Sequence, residues 1–392
     1  MPFNDPLFGQ GLLFTGIAMS FVVASAWWLY KSPMKVHVER NAAPSPRLAR
    51  WVAGLLALSA VQLVTGAFWD ASMHLQTGKV VGGSDFLWPP HIVIYSSFLV
   101  SLIVATLAIG LVAIPEWNNG VRDPRIWVRR NPYLGAVALA SVYMLMAIPG
   151  DALWHQLFGV DLTAWSPPHL LIGVSNATVI ICALGLLVQA RPKYGHALMV
   201  ILSALMLNFI YLIGVLEWEL PGQRSPFVDA RPLWSYPLVG GAVAFFTLML
   251  AKQLVRFRWT ATATAMVFYG VRLGLSAGLA FTGNIAPFMP LWFIGGAVLI
   301  DVVDTPGASI NFAHAAGTAV AFAFGYLLVA LPLLSLRANL KAFNPADYVW
   351  AMMTMVLACW LLSPVARWAS ARLLGAQIDR AAAAARRQSA VA

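Results

Sequence analysis

Residues 168–190 read PHLLIGVSNATVIICALGLLVQA, an unbroken apolar run in which His169 is the only titratable side chain besides Cys182. A helix needs about 20 such residues to cross ~30 Å of hydrocarbon. The apolar positions are continuous instead of alternating, which favours a helix over a barrel strand, because backbone groups in lipid must find their partners within the segment. Similar runs recur near 9–30, 51–74, 91–115, 134–155, 196–217, 236–256, 262–282, 288–303, 311–335 and 346–370. The expectation is an all-α, polytopic transmembrane helical bundle of about 11 helices, counted by hydropathy, in a single integral membrane domain spanning residues 1–392.

Composition agrees with this reading. Hydrophobic residues make up 60% of the chain and charged residues 10%, with a mean hydropathy of +0.75, which leaves no stretch polar enough for a soluble domain. The first run follows no basic segment and lacks a small-residue cleavage site, so it reads as a retained helix and not a signal peptide. Cys182 and Cys359 lie inside apolar runs and read as buried small residues.

The net charge of +10 is spread over short connections. Lys31, Lys35, Arg40, Arg47 and Arg50 fall in the first; Arg122, Arg125, Arg129 and Arg130 in the next; then come Arg191 and Lys193, and Lys252, Arg256 and Arg258. The positive-inside rule makes these loops cytoplasmic, together with the tail carrying Arg372, Arg380, Arg386 and Arg387. The expected protein is a multi-pass component of the inner (cytoplasmic) membrane, N-terminus extracytoplasmic and C-terminus cytoplasmic. Its first partner is the lipid bilayer, with anionic headgroups meeting the basic loops. Scattered charges form no single patch, so nucleic acid is not an expected partner.

The histidines carry the functional signal. Asp70 precedes His74 by four residues, and His91 follows Pro89-Pro90; Asp151 precedes His155 by four, and His169 follows Pro167-Pro168. This duplication absorbs four of the seven histidines in a chain with only 15 acids, so surface decoration explains it poorly. Residues four apart share a helix face, and a third ligand arrives from the facing helix, where proline in the first turn fixes the entry direction. The hairpins that hold the sets are expected at about 51–115 and 134–190, with a third copy at 196–256 in which Glu217-Trp218-Glu219 and Trp234-Ser235-Tyr236-Pro237 replace the histidines. Trp69, Trp88, Trp154 and Trp165 flank the ligands and suit an interfacial belt that also walls off water. Two imidazoles and a carboxylate suit zinc, iron(II) or copper(II) with an open position. Structural Asp–His hydrogen bonding at helix ends is the bland alternative. Haem ligation or a proton relay is another, although two axial histidines do not need an acid one turn away.

The run Asp151-Ala152-Leu153-Trp154-His155-Gln156, continuing through Asp161 to Ser166-Pro167-Pro168-His169-Leu170-Leu171, resembles the copper-ligand segment in the C subunit of the copper membrane monooxygenases, the particulate methane and ammonia monooxygenase family. In that family an Asp-x-x-Trp-His-Gln run is followed by an aspartate and a Pro-x-His. The resemblance implies copper as cofactor, Asp151, His155 and His169 as its ligands, and a monooxygenase-like oxidoreductase. Asp70, His74 and His91 resemble a second set in that subunit, which has Asn in place of Asp.

Other polar residues sit in apolar runs. Arg272 is expected to have an acidic partner among Glu217, Asp301 and Asp304, since an unpaired intramembrane charge costs at least ~2.5 kcal/mol. His314 follows Asp301 and Asp304 across Thr305-Pro306-Gly307 and reads as a structural or relay residue; His37 and His196 read as solvated. The functional expectation is a membrane-embedded metal oxidoreductase acting on a small or lipophilic substrate near the extracytoplasmic face. It would need an electron donor, with other membrane subunits or a homo-oligomer as further partners. The alternatives are a metal-handling protein, whether transporter or assembly factor, and a structural subunit of a membrane complex.

Overall fold

The computed structural model describes residues 6–33, 44–77, 87–158, 166–215, 232–255, 257–286, 289–304, 312–337 and 345–391. Twelve helices account for nearly all of them: α1 (Pro6–Tyr30), α2 (Pro46–Thr77), α3 (Pro89–Asn118), α4 (Pro124–Arg130), α5 (Pro132–Phe158), α6 (Pro167–Ala190), α7 (Gly195–Ile210), α8 (Tyr236–Leu254), α9 (Thr260–Phe281), α10 (Ile294–Val303), α11 (Phe312–Arg337) and α12 (Pro345–Val391). The described residues contain no strand. Seven helices begin on proline, whose missing N–H is no loss in the first turn and whose fixed φ suits the helix. Among the described residues nine helices are long and apolar enough to cross a membrane, and the chain is a multi-pass membrane protein. Large apolar side chains stay on the outside of the bundle, among them Leu58, Leu107, Val174 and Leu328, as lipid contact allows.

The hydrophobic interior has two parts. One gathers α2, α3, α5, α6 and one face of α7 around Leu56, Leu63, Phe98, Leu184 and Leu187; the other gathers α8 to α12 around Phe245, Phe293, Phe322 and Tyr326. Helix α7 contributes to both and joins them. The hairpins α2–α3 and α5–α6 are closely packed pairs, and α3 lies on α5 while α2 lies on α6, so the two hairpins form a four-helix unit. The third pair, α7 and α8, also touches, but α8 packs more extensively on α12.

Three features depart from the simple reading. Residues 124–130 form a short extra helix, α4, whose N-terminus is capped by Asp123 accepting from Arg125 N–H at 2.9 Å. The run 288–303 is only half helical: residues 289–293 are not helical and lead into α10. Its backbone is satisfied by Tyr269, whose hydroxyl donates to the Leu291 carbonyl at 2.7 Å and accepts from Phe293 N–H at 3.0 Å. Non-helical backbone at membrane depth is tolerated when protein surrounds it in this way, and Leu291 and Phe293 are fully buried. Helix α7 ends in a π-turn over Tyr211–Val215.

The helix ends sort into two groups. The C-terminal ends of α2, α5 and α9 and the N-terminal ends of α3 and α6 lie at one end of the bundle, tied by Ser72 Oγ donating to the Ile285 carbonyl and Gln76 to Gly283. Arg125, Arg129 and Arg130, Arg191 and Lys193, and Lys252 and Arg258 belong to the opposite, basic end, where Arg129 also ties α4 to the end of α1 through the Leu29 and Ser32 carbonyls.

Candidate functional site

All six residues of the two Asp-His-His sets fall on helices at the non-basic end. Asp70 and His74 lie in the last turns of α2, His91 in the first turn of α3, Asp151 and His155 near the end of α5, and His169 in the first turn of α6. The side chain of His155 lies outside the described residues, as do Asp161, Glu217, Glu219, His37 and Thr305–Gly307.

Asp70 is the centre of the arrangement. Its Oδ1 lies 3.1 Å from His91 Nε2 and 3.6 Å from His74 Nε2, so the i,i+4 partner and the residue from the facing helix meet on one carboxylate oxygen. In the second hairpin His169 Nε2 lies 3.7 Å from Asp151 Oδ1. The hairpins are not separate: α2 packs on α6, and His169 joins His74 and His91 in acting electrostatically on Asp70. Sequence spacing left open whether the sets were together; the fold places them in one neighbourhood.

Polar side chains here are buried. His91 is 6% and Asp151 5% exposed, well below what isolated polar side chains at a helix end show. His91 Nε2 approaches the buried Asp70 Oδ1 to within ion-pair distance, at 3.1 Å. Ser166 Oγ, three residues before His169, is likewise buried and is not hydrogen-bonded; it is the N-cap residue of α6 but its side chain does not cap. Such a group calls for an explanation, an ion being one. Among the described residues no three His, Cys, Asp or Glu side chains stand in ready-made metal-ligand geometry, a set from which the His155 side chain is missing.

Aromatic rings close the site. Trp88 stands edge-on to both His74 and His91, with centroids 5.5 and 6.3 Å away, and Tyr95 lies one turn beyond His91 at 5.7 Å. Trp154 is buried beside Asp151 on α5. Sequence reasoning passed over Tyr95 and Gly66. Gly66 lies one turn before Asp70, and a Cβ there would stand 3.0 Å from Ile94 N and 3.1 Å from the Pro90 carbonyl. Its bare backbone lets the first turn of α3 approach α2 and carries His91 to Asp70. Their i±4 spacing from His91 and Asp70 was the available signal.

No family model matches this chain, and neither characterised proteins nor solved structures yield a match. The likeness to the copper monooxygenases therefore stands on the quoted residues alone.

The other intramembrane charges are organised elsewhere. Asp301 is fully buried and takes Lys252 Nζ at 2.6 Å, while accepting from Ala261 N–H, Thr262 N–H and Thr262 Oγ at the N-terminus of α9. Asp304 takes His314 Nε2 at 2.9 Å. Neither is the partner expected for Arg272, because both sit at the basic end. The structure surrounds the Arg272 guanidinium with Phe68, Tyr211 and Phe268 at 4.8, 5.6 and 5.1 Å, and Asn208 accepts from it through both its side-chain and main-chain oxygens. The π-turn begins three residues later at Tyr211, whose backbone N–H donates to the same Asn208 carbonyl that serves the guanidinium.

Proposed function

We propose that this chain is a membrane oxidoreductase whose reaction centre is a metal, copper by the resemblance of its ligand segment, held by Asp70, His74, His91, Asp151, His155 and His169. The observation that carries this reading is the meeting of His74 and His91 on the Asp70 carboxylate, in a hairpin packed against the one that brings His169 to Asp151. Imidazole nitrogen with carboxylate oxygen is a donor set that copper(II), iron(II) and zinc all accept. Bound copper or iron would supply the redox change that oxygen activation requires, which zinc does not.

The chain's own residues have definable parts in this reading. Asp70 holds the His74 and His91 rings with their Nε2 atoms turned toward one point, and Asp151 does the same for His169. Trp88 and Trp154 limit water around these groups. All ligands stand at one end of the bundle instead of along a path through it, which favours a fixed site over a transport route; an assembly factor that hands on its metal remains the competing use of such a site. The positive-inside rule puts the basic end in the cytoplasm and the ligand end at the extracytoplasmic face of the inner membrane. A small or lipophilic substrate would enter there from the outer leaflet, and the electron donor would be a separate component, another membrane subunit included.

Elemental analysis of the chain purified without chelator, before and after reconstitution with copper, iron or zinc, tests the proposal. Stoichiometric metal that is lost in His91→Ala supports it. Less than about a tenth of an equivalent of any transition metal after reconstitution would overturn it, since deprotonated ligands in a folded site should retain an ion.

One observation favours a second reading. The 3.1 Å approach of His91 to Asp70 is also what a carboxylate–imidazole tie between α2 and α3 requires. A His91→Ala variant that melts earlier with no change in metal content would select that structural role.

A further inference from the structure

At the basic end the α6–α7 turn opens on a cavity of about 430 Å³. Leu187, Met199, Leu254 and Leu374 give it an apolar floor drawn from four helices, while Arg191 and His196 stand on its rim. We infer that this cavity binds the headgroup and upper acyl chain of an anionic phospholipid.

Position comes first. The turn joins two membrane-crossing segments, Pro167–Ala190 and Gly195–Val215, through only residues 191–194. So short a connection keeps the cavity at the level where lipid phosphates lie. The turn is also an unusual one. Arg191 and Tyr194 both adopt left-handed backbone, with φ of 46° and 64°, a region that non-glycine residues seldom occupy. It is held by Arg191 N–H donating to Leu187 and Gly195 N–H to Pro192. The result directs Arg191, Lys193, Tyr194 and His196 outward, all exposed, with the Lys193 ammonium over the Tyr194 ring at 4.9 Å.

Charge and shape then select the occupant. Among the described residues the lining includes arginine and histidine and no acid. Basic pockets between membrane helices suit phosphate headgroups, and arginine binds phosphate in a bidentate manner. A free phosphate ion would have no use for an apolar floor of this depth, whereas an acyl chain fills it. The volume falls within the range of sites that hold a small ligand. Sequence alone made His196 a solvated loop residue; the structure places it on this rim. The inference does not depend on the metal reading.

The test is native mass spectrometry of the full chain in neutral detergent, offered phosphatidylglycerol and phosphatidylcholine in equal amounts. The expected result is at least a several-fold preference for retaining one phosphatidylglycerol. Arg191→Asn paired with His196→Gln should abolish the preference, Asn being chosen because it tolerates left-handed backbone. Leu374→Trp, which fills the cavity and leaves both cations in place, should reduce retention of either lipid. Equal retention of the two lipids by the parent chain, or a preference unchanged in both variants, would overturn the inference. So would displacement of the lipid by millimolar inorganic phosphate, which would mark a site for the free ion.

Discussion

Asp301→Ala should be among the most damaging single changes in the molecule. In the native chain the Asp301 side chain is 0% and the Lys252 side chain 3% exposed, and their charged atoms are 2.6 Å apart. Removing one member of a buried ion pair leaves the other charge uncompensated and costs about 3–5 kcal/mol. The same change orphans Thr262 N–H, held at 2.7 Å, and Ala261 N–H, at 3.2 Å, in the first turn of α9. A buried unsatisfied donor adds about 1–3 kcal/mol, partly relieved if water reaches it. The combined loss is therefore on the order of 4–6 kcal/mol, allowing for incomplete additivity. Lys252→Met should cost much less, about 1–2 kcal/mol, because Asp301 keeps its α9 donors and sits at a helix N-terminus, where a negative charge is favoured. The double variant Lys252→Met/Asp301→Ala has no stranded charge and should be more stable than the sum of its single changes predicts by about 2 kcal/mol or more. Reversible unfolding in mixed micelles measures all four proteins. If Lys252→Met proved as costly as Asp301→Ala, or if Asp301→Ala cost under about 1 kcal/mol, the view of Asp301 as a buried hub serving both a cation and a helix start would fail.

Gly66→Val should part α2 from α3, since its Cβ would stand 3.0 Å from Ile94 N and 3.1 Å from the Pro90 carbonyl; overpacking of this kind costs about 1–3 kcal/mol, and metal content should fall with it. Gly54→Val on the same helix, with nothing within 4 Å, is the control, and equal effects at both positions would refute the role given to Gly66. His155→Ala should lower metal stoichiometry while the protein still inserts, and Asp151→Asn should do so less, because an amide oxygen can still coordinate; an unchanged metal content and spectrum in His155→Ala would remove it from the ligand set. Single cysteines at Gly83 or Thr163 should react with a membrane-impermeant reagent in intact cells and one at Asn119 should not. Labelling at Asn119 alone would put the ligand end in the cytoplasm and favour a cytoplasmic metal-handling role.

The sequence by itself determined the class and the segments of this protein. Each of its eleven apolar runs corresponds to a helix or, at 288–303, to a non-helical stretch leading into one, because hydropathy and proline at the first helical turn are local properties that survive folding. The pairing of Asp70 with His74 and His91 was legible for the same reason: i,i+4 spacing and a short hairpin bring these residues near each other whatever surrounds them. Which hairpin faces which was not legible. These helices are apolar on the side toward lipid as well as toward protein, so they carry no amphipathic stripe to mark the buried face. Only close packing at points such as Gly66, and α2 lying on α6, set the second hairpin with His169 and Asp151 beside the first. Long-range electrostatics behaved likewise. Charge alone offered Asp301 to Arg272, but the tertiary structure put Asp301 at the basic end with Lys252 and set Arg272 among Phe68, Tyr211 and Phe268, since a buried ion takes the partners its depth allows and not the nearest opposite charge in a list of residues.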